Sequence, residues 1–150
     1  MKTIEEIRWG GLWRRLSAFS IDLLVLNLLS SLLFYLSYVG YSVGLAAHGR
    51  GLSASNLPEF LRILFFAWLC LVGGYFVLFH GMEGRTIGKG LLGLRVVGPN
   101  RSRITYRQAL IRWIAFFPAA VSGLGLLWIL WDREKRGWHD RLAQTWVIRE

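Results

Sequence analysis

Few residues in this chain have the type and setting to do chemistry, and the sharpest of them is Asp22. It is the single charge inside an apolar run from Leu16 to Tyr38. At a rise of roughly 1.5 Å per helical residue, such a run is long enough to cross the roughly 30 Å hydrocarbon core of a bilayer. A carboxylate part-way into lipid costs roughly 3 kcal/mol on insertion scales, so it turns towards protein or water. It then serves either as a satisfied contact inside the helix bundle or as an ion- or proton-handling group. Arg14 and Arg15 stand at the entrance of the run. Arg15 is two helical turns from Asp22 and shares its face. A second apolar run, Phe60 to Phe79, carries Tyr75 near the end that antiparallel packing would bring level with Asp22. A phenol there can donate to the carboxylate.

Other combinations suggest chemistry less well. Gly84-Arg85-Thr86-Ile87-Gly88-Lys89-Gly90 invites comparison with a phosphate-binding loop. It has one residue too few between its first and second glycines, and Gly90 stands where Ser or Thr would hold Mg²⁺. It reads as a Gly-rich turn with its cations on lipid headgroups. His139-Asp140 resembles a fragment of a catalytic or metal site, but the other histidines are His48 and His80, and His48 falls in a different loop. No Ser or Cys has the setting of a nucleophile, and Cys70 lies within an apolar run as a small apolar residue. The expectation is a protein that is not an enzyme, with no cofactor and no metal. Asp140 instead suits a charge-assisted pair, with Arg141 or with the arginines of 101–112.

The elements that hold these residues follow from composition. The chain is 54% hydrophobic and 15% aromatic, with eight Trp, which suits a membrane protein of one domain. Its net charge of +9 accompanies no nucleic-acid motif, so the cations are assigned to lipid phosphates and to topology. Residues 1–15 read as an interfacial lead in which Ile4, Ile7, Trp9 and Trp13 lie on the lipid and Lys2, Arg8, Arg14 and Arg15 in the headgroup layer. Spans follow at 16–38 and 60–79, separated by a weakly charged Gly/Ser/Ala-rich loop at 40–59. Arg85, Lys89, Arg95, Arg101, Arg103, Arg107 and Arg112 then crowd residues 80–113 against the single acid Glu83. By the positive-inside rule this loop and the N-terminus are cytoplasmic, in a multi-pass protein of the cell membrane. Arg14, Arg85, Lys89, Arg107 and Arg112 are the expected headgroup contacts.

Within the basic loop, Leu94–Val97 is strand-like, Gly98-Pro99-Asn100 is a turn, and Thr105 caps a helix whose apolar residues recur at helical spacing. A third apolar segment, 114–131, is broken by Pro118, Gly123 and Gly125. It is either a kinked span or a re-entrant hairpin of half-helices 110–119 and 125–131. In the tail, 132–150, Thr145–Ile148 is the natural strand partner of Leu94–Val97, which favours the hairpin because both strands must share one compartment. The expected fold is thus an all-α membrane protein with two transmembrane helices, a broken third segment, a surface amphipathic helix and a small cytoplasmic β pairing.

Three blocks of this chain resemble the RDD family of small membrane proteins, named for one arginine and two aspartates. They are Arg15-Leu-Ser-Ala18-Phe-Ser-Ile21-Asp22, the glycine-rich Gly84–Val97, and Trp138-His139-Asp140-Arg141-Leu-Ala143-Gln-Thr145. The resemblance assigns the arginine to Arg15, the first aspartate to Asp22 and the second to Asp140, with Asp132 the weaker claimant. Gln144 stands where relatives have Gly. The resemblance implies transport, with some members linked to sodium–proton exchange. Two function classes stay open. One is an oligomer moving an ion, a proton or a small solute past Asp22, with Tyr75 and Asp140 in support. The other is a membrane scaffold or accessory subunit. Either implies the lipid bilayer and a homo-oligomer or membrane-protein partner, and no nucleic acid.

Overall fold

A computed structural model describes residues 8–150. It contains helices α1 (Leu12–Ala47), α2 (Leu57–Glu83), α3 (Ile87–Leu91), α4 (Tyr106–Ser122), α5 (Leu124–Trp131) and α6 (Trp138–Leu142), with strands β1 (Leu94–Val97) and β2 (Trp146–Arg149). α1 and α2 are long and apolar enough to cross a membrane, and α4 with α5 forms a third apolar segment bent by 93°. The chain divides into two compact units.

The first unit holds the chain up to Asp22 and Tyr75–Glu150. β1 and β2 pair antiparallel, Leu94 with Arg149 through Val97 with Trp146, as the β-branched runs led us to expect. The segment before α1 adds to this sheet: Trp9 bridges Ile148, Gly10 N–H donates to the Val147 carbonyl at 2.8 Å, and Arg149 N–H to that of Arg8 at 2.8 Å. So much of the expected interfacial lead is a sheet edge, and α1 starts at Leu12 rather than Leu16; Lys2, Ile4 and Ile7 lie outside the described residues. Leu94, Val96 and Val147 pack with Ala18, Ile104 and Ala109 in the unit's small apolar core. Thr105 caps α4 as expected, its hydroxyl accepting from Gln108 N–H at 3.2 Å while the Gln108 side chain accepts from Thr105 N–H at 2.9 Å.

The break between α4 and α5 falls at Gly123 (φ 66°), not at Pro118, which sits inside α4. The half-helices accordingly run 106–122 and 124–131 rather than 110–119 and 125–131. Gly125 lets α5 fold against α4, since a Cβ there would lie 2.6 Å from that of Ala119.

The second unit, Leu23–Gly74, holds the rest of α1 and α2. Helix continues through 40–47, where a loop was expected, and resumes at Leu57; the connection is only 48–56. Gly40 and Gly44 are helix-weakening in water but common in membrane helices. Tyr41 and Phe34 pack on Phe60, and Trp68 Nε1–H donates to Ser30 Oγ at 3.2 Å. Otherwise the unit presents exposed Leu, Phe and Tyr side chains, a surface suited to lipid.

Candidate functional site

The polar residues of interest converge inside the first unit. Asp22 is 1% exposed and receives three donors. Tyr75 Oη–H donates to its Oδ1 at 2.6 Å, Thr86 Oγ1–H to Oδ2 at 2.6 Å, and Gly88 N–H to Oδ1 at 2.8 Å. The Gly84–Gly90 stretch is therefore not a surface turn. Thr86 starts α3, and the backbone of α3 closes on α1. A Cβ on Gly88 would lie 2.0 Å from the Ala18 carbonyl oxygen and 3.0 Å from Asp22 Cγ. Only glycine permits that approach, because the obstacle is backbone. All three donors are neutral.

Asp140 is fully buried and is held differently. Arg15 Nη1 bonds its Oδ2, Arg112 Nη1 lies 2.5 Å from its Oδ1, and Gly137 N–H donates to Oδ2 at 3.1 Å. Burial alone would raise this carboxyl, but Arg112 and Arg15 hold it well below the usual carboxylate range. Each arginine also ties down other segments. Arg15 Nε donates to the Gly10 carbonyl at 2.7 Å and its Nη2 to that of Lys135 at 2.5 Å. Arg112 donates to Thr145 Oγ1 at 2.5 Å. This cluster staples the N-terminal segment, α1, α4 and α6 together.

His139 lies beside Asp140, its Nε2 3.4 Å from Oδ1, and against the edge of Phe116. Burial lowers its pKa to about 4, outweighing the pull of Asp140. Lys89 is half-buried, its Nζ 2.7 Å from His80 Nε2.

Several expected headgroup contacts are corrected by this geometry. Arg112 turns inward to Asp140 and Lys89 to His80, because a desolvated carboxylate and imidazole are there to receive them. Arg85 meets Glu83 at 3.3 Å and Glu150 at 3.5 Å. Arg14 and Arg107 are exposed. Arg15 does not pair with Asp22 despite sharing its helix; it reaches Asp140. Asp132 pairs instead with Arg141 at 2.5 Å. Thr86, Gly88, His80 and Thr145 were not singled out by sequence. Thr86 carried a usable signal, being a Thr three residues before Lys89 in the position of an N-cap.

A family model described as RDD family matches residues 9–144, which includes Arg15, Asp22, Tyr75, Lys89 and Asp140. The uncharacterized protein YxaI of Bacillus subtilis (strain 168) is 25% identical over 147 residues, covering 93% of this chain and 96% of that protein. The uncharacterized protein RP437 of Rickettsia prowazekii (strain Madrid E) is 33% identical over 104 residues, 65% of this chain and 57% of its own length. No solved structure matches. With a family match over most of its length and two helices fit to cross a bilayer, this chain is a membrane protein and belongs to the RDD family.

Proposed function

We propose that this protein moves a small cation or a proton across the cell membrane, with Asp22 as the group that takes up and releases it. One observation carries the reading: of the two buried carboxylates, Asp140 is neutralised by two permanent cations, whereas among the described residues Asp22 has only neutral donors. A carboxylate whose charge no guanidinium cancels is the one free to gain a cation or a proton. One chain is too small to enclose a path, so the working form is a homo-oligomer or a complex with another membrane protein. In this reading the protein is multi-pass, with the N-terminus and the basic 80–113 region cytoplasmic and 48–56 outside. An impermeant thiol reagent then labels a cysteine placed at Ser53, and not one at Ser102, in intact cells.

The flux test uses wild type and Asp22→Asn in proteoliposomes. The expected outcome is proton- or sodium-coupled flux in wild type, lost in a folded and assembled Asp22→Asn. Equal flux in both would remove Asp22 from the mechanism. A second reading, a scaffold or accessory subunit, is favoured by the way the Asp22 bonds join α1 to α2 and α3. It requires that Asp22→Asn keep partner association, with no flux from wild type for any ion tried.

A further inference from the structure

Lys89 is the cation that the two buried carboxylates leave over. The guanidinium groups of Arg15 and Arg112 are both taken up by Asp140, and Asp22 is held by the Tyr75, Thr86 and Gly88 donors, so neither carboxylate takes Lys89 as its partner. Among the described residues it forms no ion pair with a carboxylate. Its partner is buried His80, at 2.7 Å. His80 Nδ1 lies 2.6 Å from the Phe76 carbonyl. A carbonyl only accepts, so Nδ1 carries the ring hydrogen and Nε2 turns a lone pair towards Lys89. The ammonium therefore donates to a neutral imidazole, and the contact supplies no opposite charge.

The titratable and charged groups around this pair are Arg15 and Asp22 from α1, Arg112 from α4, and His139 and Asp140 from α6, with Tyr75 on the same helix as His80. The pair is also joined to the Asp22 cradle. Lys89 N–H donates to Thr86 Oγ1 at 3.4 Å, and that hydroxyl donates to Asp22. Its chain neighbour Gly88 supplies the third Asp22 donor.

We propose that Lys89 and His80 form a one-proton site serving the Asp22 cradle, alternating between an ammonium donating to His80 and a neutral amine. On release the proton passes from Nζ to water and the nitrogen keeps its lone pair; on uptake it returns. Burial first, and then Arg112, bring the Lys89 ammonium down from 10.5 to about 7, so both forms occur at ordinary pH. What the proton is exchanged for rests on the reading of Asp22 above.

The test does not depend on flux. Full-length protein in mild detergent is titrated potentiometrically between about pH 5.5 and 8.5, beside Lys89→Met and Lys89→Arg. Arginine stays protonated throughout this range and keeps donors towards His80, so it serves even where Lys89→Met fails to fold. Wild type should release about one more proton per chain than either variant, with a midpoint near pH 7. Equal release from wild type and Lys89→Arg would overturn the site. The flux test fails independently: a titration difference without wild-type flux removes the transport reading and leaves the proton site standing.

Discussion

Asp22 and Asp140 are both fully desolvated carboxylates in the same compact unit, yet they are held by opposite means. Asp140 sits between two guanidinium groups, which convert a costly buried charge into a staple for elements far apart in sequence. Asp22 is met by a phenol, a hydroxyl and one backbone N–H. Guanidinium groups fix a carboxylate in one charge state, because removing its charge strands them. The donors on Asp22 carry no charge, and the two hydroxyls among them can turn from donor to acceptor. Burial alone therefore does not identify a functional acid in a membrane protein. The character of its partners is what distinguishes the two carboxylates, and it is the basis for the exchange proposed at Asp22.

The same isosteric substitution at the two sites should break the symmetry. In Asp140→Asn one oxygen becomes an NH₂ and points its hydrogens at a guanidinium, donor against donor. Losing one member of a buried charged group typically costs about 3–5 kcal/mol. This is the largest expected effect, read as a lowered melting temperature in mild detergent; Asp140→Ala should exceed it, since Gly137 N–H then also loses its acceptor. An unchanged melting temperature for both would mean that Asp140 holds nothing together.

Acid should sharpen the contrast from the Asp140 side. In the folded chain His139 titrates at about 4, against 6.5 ordinarily. Between those values the unfolded chain binds a proton that the folded one refuses, so stability falls as pH drops from about 6.5 to about 4 and is unaffected by this group above that window. His139→Gln cannot take up that proton, so its melting temperature should fall less than that of wild type between pH 7 and 4.5, a moderate effect. Parallel losses in the two proteins would remove His139 as the acid-sensitive group.

What was legible in the sequence was whatever obeyed a local rule. Hydropathy marked α1 and α2, β-branched runs marked the two strands, and Thr105 marked the start of α4. Asp22 stood out because a carboxylate is scarce inside an apolar run, Asp140 because it follows His139 in a block that resembles the RDD family, and antiparallel spans placed Tyr75 near Asp22. General rules of composition and charge misread the rest. Gly40–Ala47 has the composition of a loop but is helix. The positive-inside rule set cations against lipid, yet Arg112 and Lys89 turn inward, because topology counts charges without saying which of them a buried acceptor claims. Gly88 read as part of a Gly-rich surface turn and is instead a point of close backbone approach between α3 and α1, a contact that no pattern within Gly84–Gly90 encodes.

The smallest expected effect is the one that tests the comparison most directly. In Asp22→Asn the retained oxygen can stay at the Oδ1 position, where it still accepts from Tyr75 and Gly88. The NH₂ then takes the Oδ2 position and meets Thr86 Oγ1, which is already an acceptor for Lys89 N–H. A hydroxyl oxygen has two lone pairs, so it can accept from the amide as well, and only the Thr86 hydroxyl hydrogen loses its partner. Against that small loss stands the relief of burying an amide in place of a charge. The two nearly cancel, and the melting temperature should move by no more than about 1 kcal/mol would move it, in either direction. A fall as large as that of Asp140→Asn would show that the charge of Asp22 is itself structural, and the distinction between the two carboxylates would collapse.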